Sequence, residues 1–178
     1  MDLMDVSAPS FDDPVGLLLA CHRRIEKHCD TLERIPGHLQ SHGVDNESLT
    51  AAERILRYFD LAGPAHHADE EFALFPWLLV HPDFPEFLRA PLRNLTAQHR
   101  QLEEAWQNLA EDLRDLVATK KIRALRLEPF ITMNRVHIAL EDGEIFPLAR
   151  QLLDPDSARA IGETMLQKIG RASCRERV

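Results

Sequence analysis

Four histidines in this chain are each followed by a glutamate four residues on: His22/Glu26, His66/Glu70, His99/Glu103 and His137/Glu141. Residues four apart project from one helix face, so an imidazole nitrogen and a carboxylate oxygen can reach a common ion. Chance would supply about one such pairing among nine histidines, and with His67/Glu71 the chain holds five. Neutral imidazole and hard carboxylate oxygen, with no CxxC thiolate motif beside them, suit iron or manganese and also accept zinc.

The pairs recur in a larger pattern. His66, Glu70, Leu74, Phe75 and Pro76 return 71 positions later as His137, Glu141, Ile145, Phe146 and Pro147, and His22-Arg-Arg-Ile-Glu26 returns as His99-Arg-Gln-Leu-Glu103. Such repetition predicts two helical hairpins related by a pseudo-twofold axis, with the site on the axis.

The elements that must position these residues are helices, because apolar residues recur at helical spacing and no strand-like alternation of useful length occurs. The first helix is expected from Asp13-Pro14, an aspartate cap before proline, to about Pro36-Gly37, with a stripe of Leu18, His22, Ile25, Cys29 and Leu32. The second runs from about Asn46 to Val80 with Thr50 and Glu53 as a capping box, and Gly63-Pro64 should kink or break it. After the Pro82 to Pro85 turn the third carries Leu88, Leu92, Leu95, His99, Leu102, Trp106, Leu109, Leu113 and Leu116, the alternation of three and four of a bundle seam. The fourth begins near Glu128-Pro129, presents Phe130, Met133, His137, Leu140, Glu141, Ile145 and Leu148, and stops near Asp154-Pro155. A short amphipathic helix from Ser157 to Gln167 follows.

Each long helix thus places one histidine on its buried stripe. Burying four imidazoles and at least two carboxylates in a core of leucine and aromatic side chains is costly unless cations neutralise them. Glu26 and Glu103 have two readings, as ligands or proton carriers and as solvated partners in ion pairs. His67 and Glu71, rotated about 100° from the ligand face, are expected at its boundary. His28, His38, His42 and His81 fall off the seams or in loops.

The 178 residues suit one domain, expected over residues 13–168, with a flexible arm at 1–12. A formal charge of -8 without an internal basic stretch argues against nucleic acid or an anionic membrane as partner. The longest apolar runs are too short to span a bilayer, and Met-Asp-Leu-Met-Asp does not read as a secretory signal, so a cytoplasmic location is expected. Cys21 and Cys29 would lie about 12 Å apart along one helix, beyond bridging distance, and read as small core residues. Residues 169–178 (IGRASCRERV) are basic and lack an apolar period, and are expected to be a non-native or disordered tail.

These motifs resemble the hemerythrin-like HHE cation-binding family over Asp12 to about Met165. The likeness rests on Ala20-Cys21-His22-Arg23, His66-His67-Ala68-Asp69-Glu70-Glu71 through Leu74-Phe75-Pro76, Gln98-His99-Arg100, and His137 to Pro147. It implies an all-α, up-down-up-down four-helix bundle with a non-heme di-iron centre whose ligands map onto His22, His66, Glu70, His99, His137 and Glu141. Oxygen carriers of the family have a second histidine in the third helix, where this chain has Leu95 and Glu103. They also use an aspartate five residues after the last histidine, the position of Asp142. The internal repeat with Glu70 favours Glu141. The iron-sulfur repair branch carries a cysteine in its N-terminal region, and none precedes the first helix here.

Three functions follow. The first is a di-iron module that binds or senses oxygen, nitric oxide or peroxide, or holds iron, acting through a protein partner if it signals. The second is a di-iron oxidase, peroxidase or ferroxidase. The third is a structural zinc or helical interaction module.

Overall fold

The computed structural model describes residues 10–177, with side chains through residue 167. Five helical segments follow one another, and no strand occurs among the described residues. They are α1 (Pro14–His42), α2 (46–80), α3 (Glu86–Thr119), α4 (127–152) and α5 (Pro155–Arg177). Helix α1 packs on α2, α2 on α3, α3 on α4 and α4 back on α1, while α5 lies against α1 and α2. No helix among the described residues is long and apolar enough to cross a membrane.

Helix α1 starts where expected, with Asp13 accepting a hydrogen bond from the Gly16 N–H at 2.8 Å. It continues past Pro36-Gly37 and ends at Gly43, whose φ of 74° suits glycine. Pro36, itself exposed, removes the hydrogen bond to the Leu32 carbonyl without ending the helix. The cap of α2 lies upstream of Thr50/Glu53: Asp45 accepts from the Ser48 N–H and the Ser48 hydroxyl accepts from the Asp45 N–H.

Gly63-Pro64 does not end α2, which runs as α-helix over Asn46–Asp69. The irregularity comes later, as a π-helical turn at Glu70–Leu74 before a final α-helical piece, Phe75–Val80. Helix α4 repeats the design, with Leu127–Leu140, a π turn at Glu141–Ile145, and Phe146–Leu152. The shared Phe-Pro supplies a reason. Pro76 and Pro147 have no N–H for the carbonyl four residues back, and the preceding Phe75 and Phe146 donate instead to Glu70 and Glu141, five residues back.

The apolar stripes of α1 and α3 are buried as expected. In α4 the buried face is rotated slightly, with Ile131, Asn134 and Ile138 buried and Met133, Leu140 and Leu148 only partly so. The interior forms two apolar clusters. One gathers Leu18, Leu74, Leu95, Ile145 and Phe146, the other Ile25, Phe59, Trp106, Leu109 and Phe130. Along α1, His22 falls between Leu18 and Ile25, and along α3, His99 falls between Leu95 and Leu102, so the histidines form a polar layer between two dry regions.

Helix α5 is longer than the expected Ser157–Gln167 and its backbone is helical through Arg177, over most of the segment read as a tail. Most of the expected arm, residues 1–9, lies outside the described residues, as does Val178. Phe11 packs against the first cluster, and a Cβ at Gly162 would collide with the Phe11 carbonyl, so that close approach requires glycine.

Candidate metal centre

His22 comes from α1, His66 and Glu70 from α2, His99 from α3, and His137 and Glu141 from α4, and all six are buried. They form two groups sharing Glu70. Ligand atoms of His22, His66 and Glu70 lie within 4.8 Å of one another, as do those of Glu70, His99, His137 and Glu141.

The carboxylates stand between the imidazoles. Glu70 Oε1 is 3.3 Å from His66 Nε2 and 3.8 Å from His22 Nε2, while its Oε2 is 3.4 Å from His99 Nε2. Glu141 Oε2 is 3.2 Å from His22 Nε2 and 3.1 Å from His137 Nε2. The Nε2 atoms of His99 and His137 approach to 3.1 Å. Two lone pairs at that distance repel unless a proton or a cation lies between them.

A ring of partners holds the imidazoles from outside. His22 Nδ1 pairs with Asp142 Oδ1 at 2.6 Å, His99 Nδ1 with Glu71 Oε1 at 2.7 Å, and His137 Nδ1 with Gln98 Oε1 at 3.0 Å. Each oxygen accepts the Nδ1 proton, which leaves the Nε2 lone pair facing inward, the arrangement that histidine ligands require. Phe146 stacks on His22 with ring centroids 5.1 Å apart.

Inside, satisfaction fails. Both oxygens of Glu70, both of Glu141 and Nε2 of His22 are buried without a hydrogen bond of acceptable geometry, although the distances are short. The protonation tendencies conflict accordingly. Burial, then the charge of Glu141, raises the Glu70 pKa well above the usual range. Burial would raise Glu141 too, but His137 and His22 outweigh it and its pKa falls. Burial would lower His22, yet Asp142, Glu141 and Glu70 push it up to about 12. Burial holds His66 well below normal and His99 down at about 3. Buried carboxylate oxygens and an imidazole nitrogen converging without hydrogen bonds to one another fit a cation, and the mixed nitrogen and oxygen set fits iron, manganese or zinc.

The family model of the hemerythrin HHE cation-binding domain matches residues 13–149. The chain belongs to that family. An uncharacterized protein of Haemophilus influenzae is 33% identical over 159 residues, which cover 88% of this chain and 90% of that one. No solved structure matches.

The remaining expected residues of this hemerythrin HHE domain divide. Asp142 and Glu71 stand behind His22 and His99. His67 comes closer than its rotation implied: its ring stacks on His99 at 3.9 Å, and one of its nitrogens lies within 4.8 Å of those of His99 and His137. Glu26 and Glu103 are exposed, and neither belongs to a group able to hold an ion. The HxxxE spacing is the same in all four helices, but only in α2 and α4 does packing turn the glutamate inward. Sequence reasoning missed Gln98 and Phe146. Phe146 had a signal, its place in the Phe-Pro repeat, whereas the role of Gln98 depends on how α3 meets α4. His38, given no role, pairs with Asp45 at 3.0 Å at the junction of α1 and α2.

Proposed function

We propose that this domain is an up-down-up-down four-helix bundle holding two iron ions, one beside His22 and His66, the other beside His99 and His137, with Glu70 and Glu141 between them. The domain would bind or sense oxygen, nitric oxide or peroxide, or hold iron, in the cytoplasm. The observation that carries this reading is the set of four orphaned carboxylate oxygens of Glu70 and Glu141 amid four imidazoles. Bound iron would supply the electrons and open coordination positions that such chemistry requires.

The chain's own residues do the rest. Asp142, Glu71 and Gln98 keep the Nδ1 protons of three histidines outward, and the two apolar clusters close the layer along the bundle on either side. An oxidase, peroxidase or ferroxidase is the second reading. It is favoured by a cavity that reaches His67 and His99 from outside.

Elemental analysis of protein purified aerobically, with near-ultraviolet spectra before and after anaerobic reduction, tests the assignment. About two irons per chain and a reduction-sensitive band are expected. Zinc alone, or metal-free protein of undiminished stability, would overturn it. Stopped-flow mixing of the reduced protein with oxygen separates the two readings, a stable reversible adduct supporting binding and catalytic consumption supporting the enzyme. His66→Ala or His137→Ala should lower bound iron and melting temperature together, because the buried glutamates lose compensating charge.

A further inference from the structure

The His99 side of the polar layer is reached by a cavity of about 330 Å³, lined mainly from α2 and α3, which His67 and His99 both border. That volume is at the lower end of the range for small-molecule sites. Oxygen, nitric oxide and peroxide need far less space.

Its walls select a shape. Phe59, Trp106 and Phe130 line it and pack on one another, with ring centroids 4.9 Å, 4.9 Å and 5.3 Å apart in tilted and edge geometries. The Trp106 indole N–H already donates to Asp60 at 3.1 Å and the three rings are largely buried against one another, so this corner offers a small aromatic surface and no free donor of its own. Aromatic surfaces of this kind favour a flat aromatic guest in offset or edge contact. Gly63 also borders the cavity, and the space exists in part because it has no side chain. The residue 71 positions on, Asn134, lines the same cavity and does have one.

Its charges select a sign. Asp60, Glu71 and Glu103 line the cavity against a single cationic side chain, Arg100. Asp60 is engaged by Arg114 and Glu71 by His99, but the balance remains acidic. A carboxylate or phosphate on the guest would meet this field unfavourably.

We propose that the cavity is a binding site for a small planar aromatic molecule without an anionic group, of about ten to fifteen non-hydrogen atoms, seated against His67 and His99. It deepens the metal-centre reading, on which it rests only for the neighbouring ions.

The test is calorimetric titration of the iron-loaded full chain with indole, tryptamine and indole-3-acetate, with iron measured in the same samples. Indole and tryptamine should bind saturably below millimolar concentration, and indole-3-acetate at least about tenfold more weakly. Gly63→Leu should weaken indole by about tenfold or more. The first added carbon meets only Phe59, at an ordinary 3.7 Å, so the fold should accept it. Ala68→Leu, at another lining position, should act alike, whereas Gly37→Leu, which has open space around it on α1, should leave binding unchanged. Absence of saturable binding by any probe, equal binding of the carboxylate, or undiminished binding in both cavity variants would overturn the site. Protein that takes up no iron when offered it, yet binds indole in this pattern, would overturn the metal reading and leave the cavity assignment standing.

Discussion

Asp142 Oδ1 lies 2.6 Å from Nδ1 of His22, although 120 residues of chain separate them. The contact sets the His22 tautomer and aims its Nε2 at Glu141, the residue just before Asp142. Glu71 does the same for His99, whose Nε2 faces Glu70. Each acidic doublet, Glu70-Glu71 and Glu141-Asp142, thus sends its first carboxylate inward and uses its second to orient a histidine from another helix.

Asp142→Ala should therefore weaken metal binding by about ten- to a hundredfold, with Glu71→Ala similar, because such outer partners fix ligand orientation and basicity. Competition with a chelator measures it. Unchanged affinity in both variants would show that the imidazoles need no outer anchor.

Pro147→Ala restores an N–H that can bond the Gly143 carbonyl and lets the π turn relax to α geometry. Relaxation would rotate the segment after Glu141 by about 100° relative to His137. Either Phe146 leaves His22 or Glu141 leaves the layer, and metal affinity should fall by about tenfold or more while far-ultraviolet dichroism changes little. If affinity and melting temperature both match the parent, the turn has no part in aiming these groups.

Glu26→Gln and Glu103→Gln should keep full metal content and change stability by less than about 0.5 kcal/mol, since both side chains are exposed. Loss of iron in either variant would return that residue to the ligand set.

Metal-free protein should lose stability on acidification between about pH 6.5 and 4.5. His99 is held at about 3 from an ordinary 6.5, and His66 and His67 are lowered as well, chiefly by burial. Below about 6.5 the unfolded chain binds these three protons and the folded chain does not, so folding weakens. Glu70, raised, acts oppositely, holding a proton when folded that the unfolded chain releases above 4.5, so three histidines outweigh one carboxyl. His22, raised to about 12, is protonated in both states here, and its contribution is lost only as pH rises from 6.5 toward 12. Thermal melts of chelator-stripped protein should show a midpoint lower by about 5 °C or more at pH 5 than at pH 6.5. A midpoint that does not move would contradict the burial of these imidazoles.

Much of this is legible in the sequence. The buried stripes of α1 and α3 follow a period of 3.6, and placing His22 and His99 among leucines required only that local pattern. The repeat likewise announced that Glu70 and Glu141 would play matching parts. Proline was less readable. Pro36 and Pro64 sit at exposed positions inside continuous helices, each at the loss of one hydrogen bond, while Pro76 and Pro147 reshape their helices at the centre itself.

The sequence alone determined that the chain is helical, which faces of α1 and α3 are buried, and that each long helix carries a histidine on its buried stripe, because these depend on residues within one or two turns of each other. Only the tertiary structure decided that Glu26 and Glu103 face outward, that Asp142 and Gln98 anchor imidazoles from other helices, and that a cavity borders His67 and His99. Those outcomes depend on how neighbouring helices rotate and approach, and side chains 28 to 120 residues apart record no such relation in their spacing.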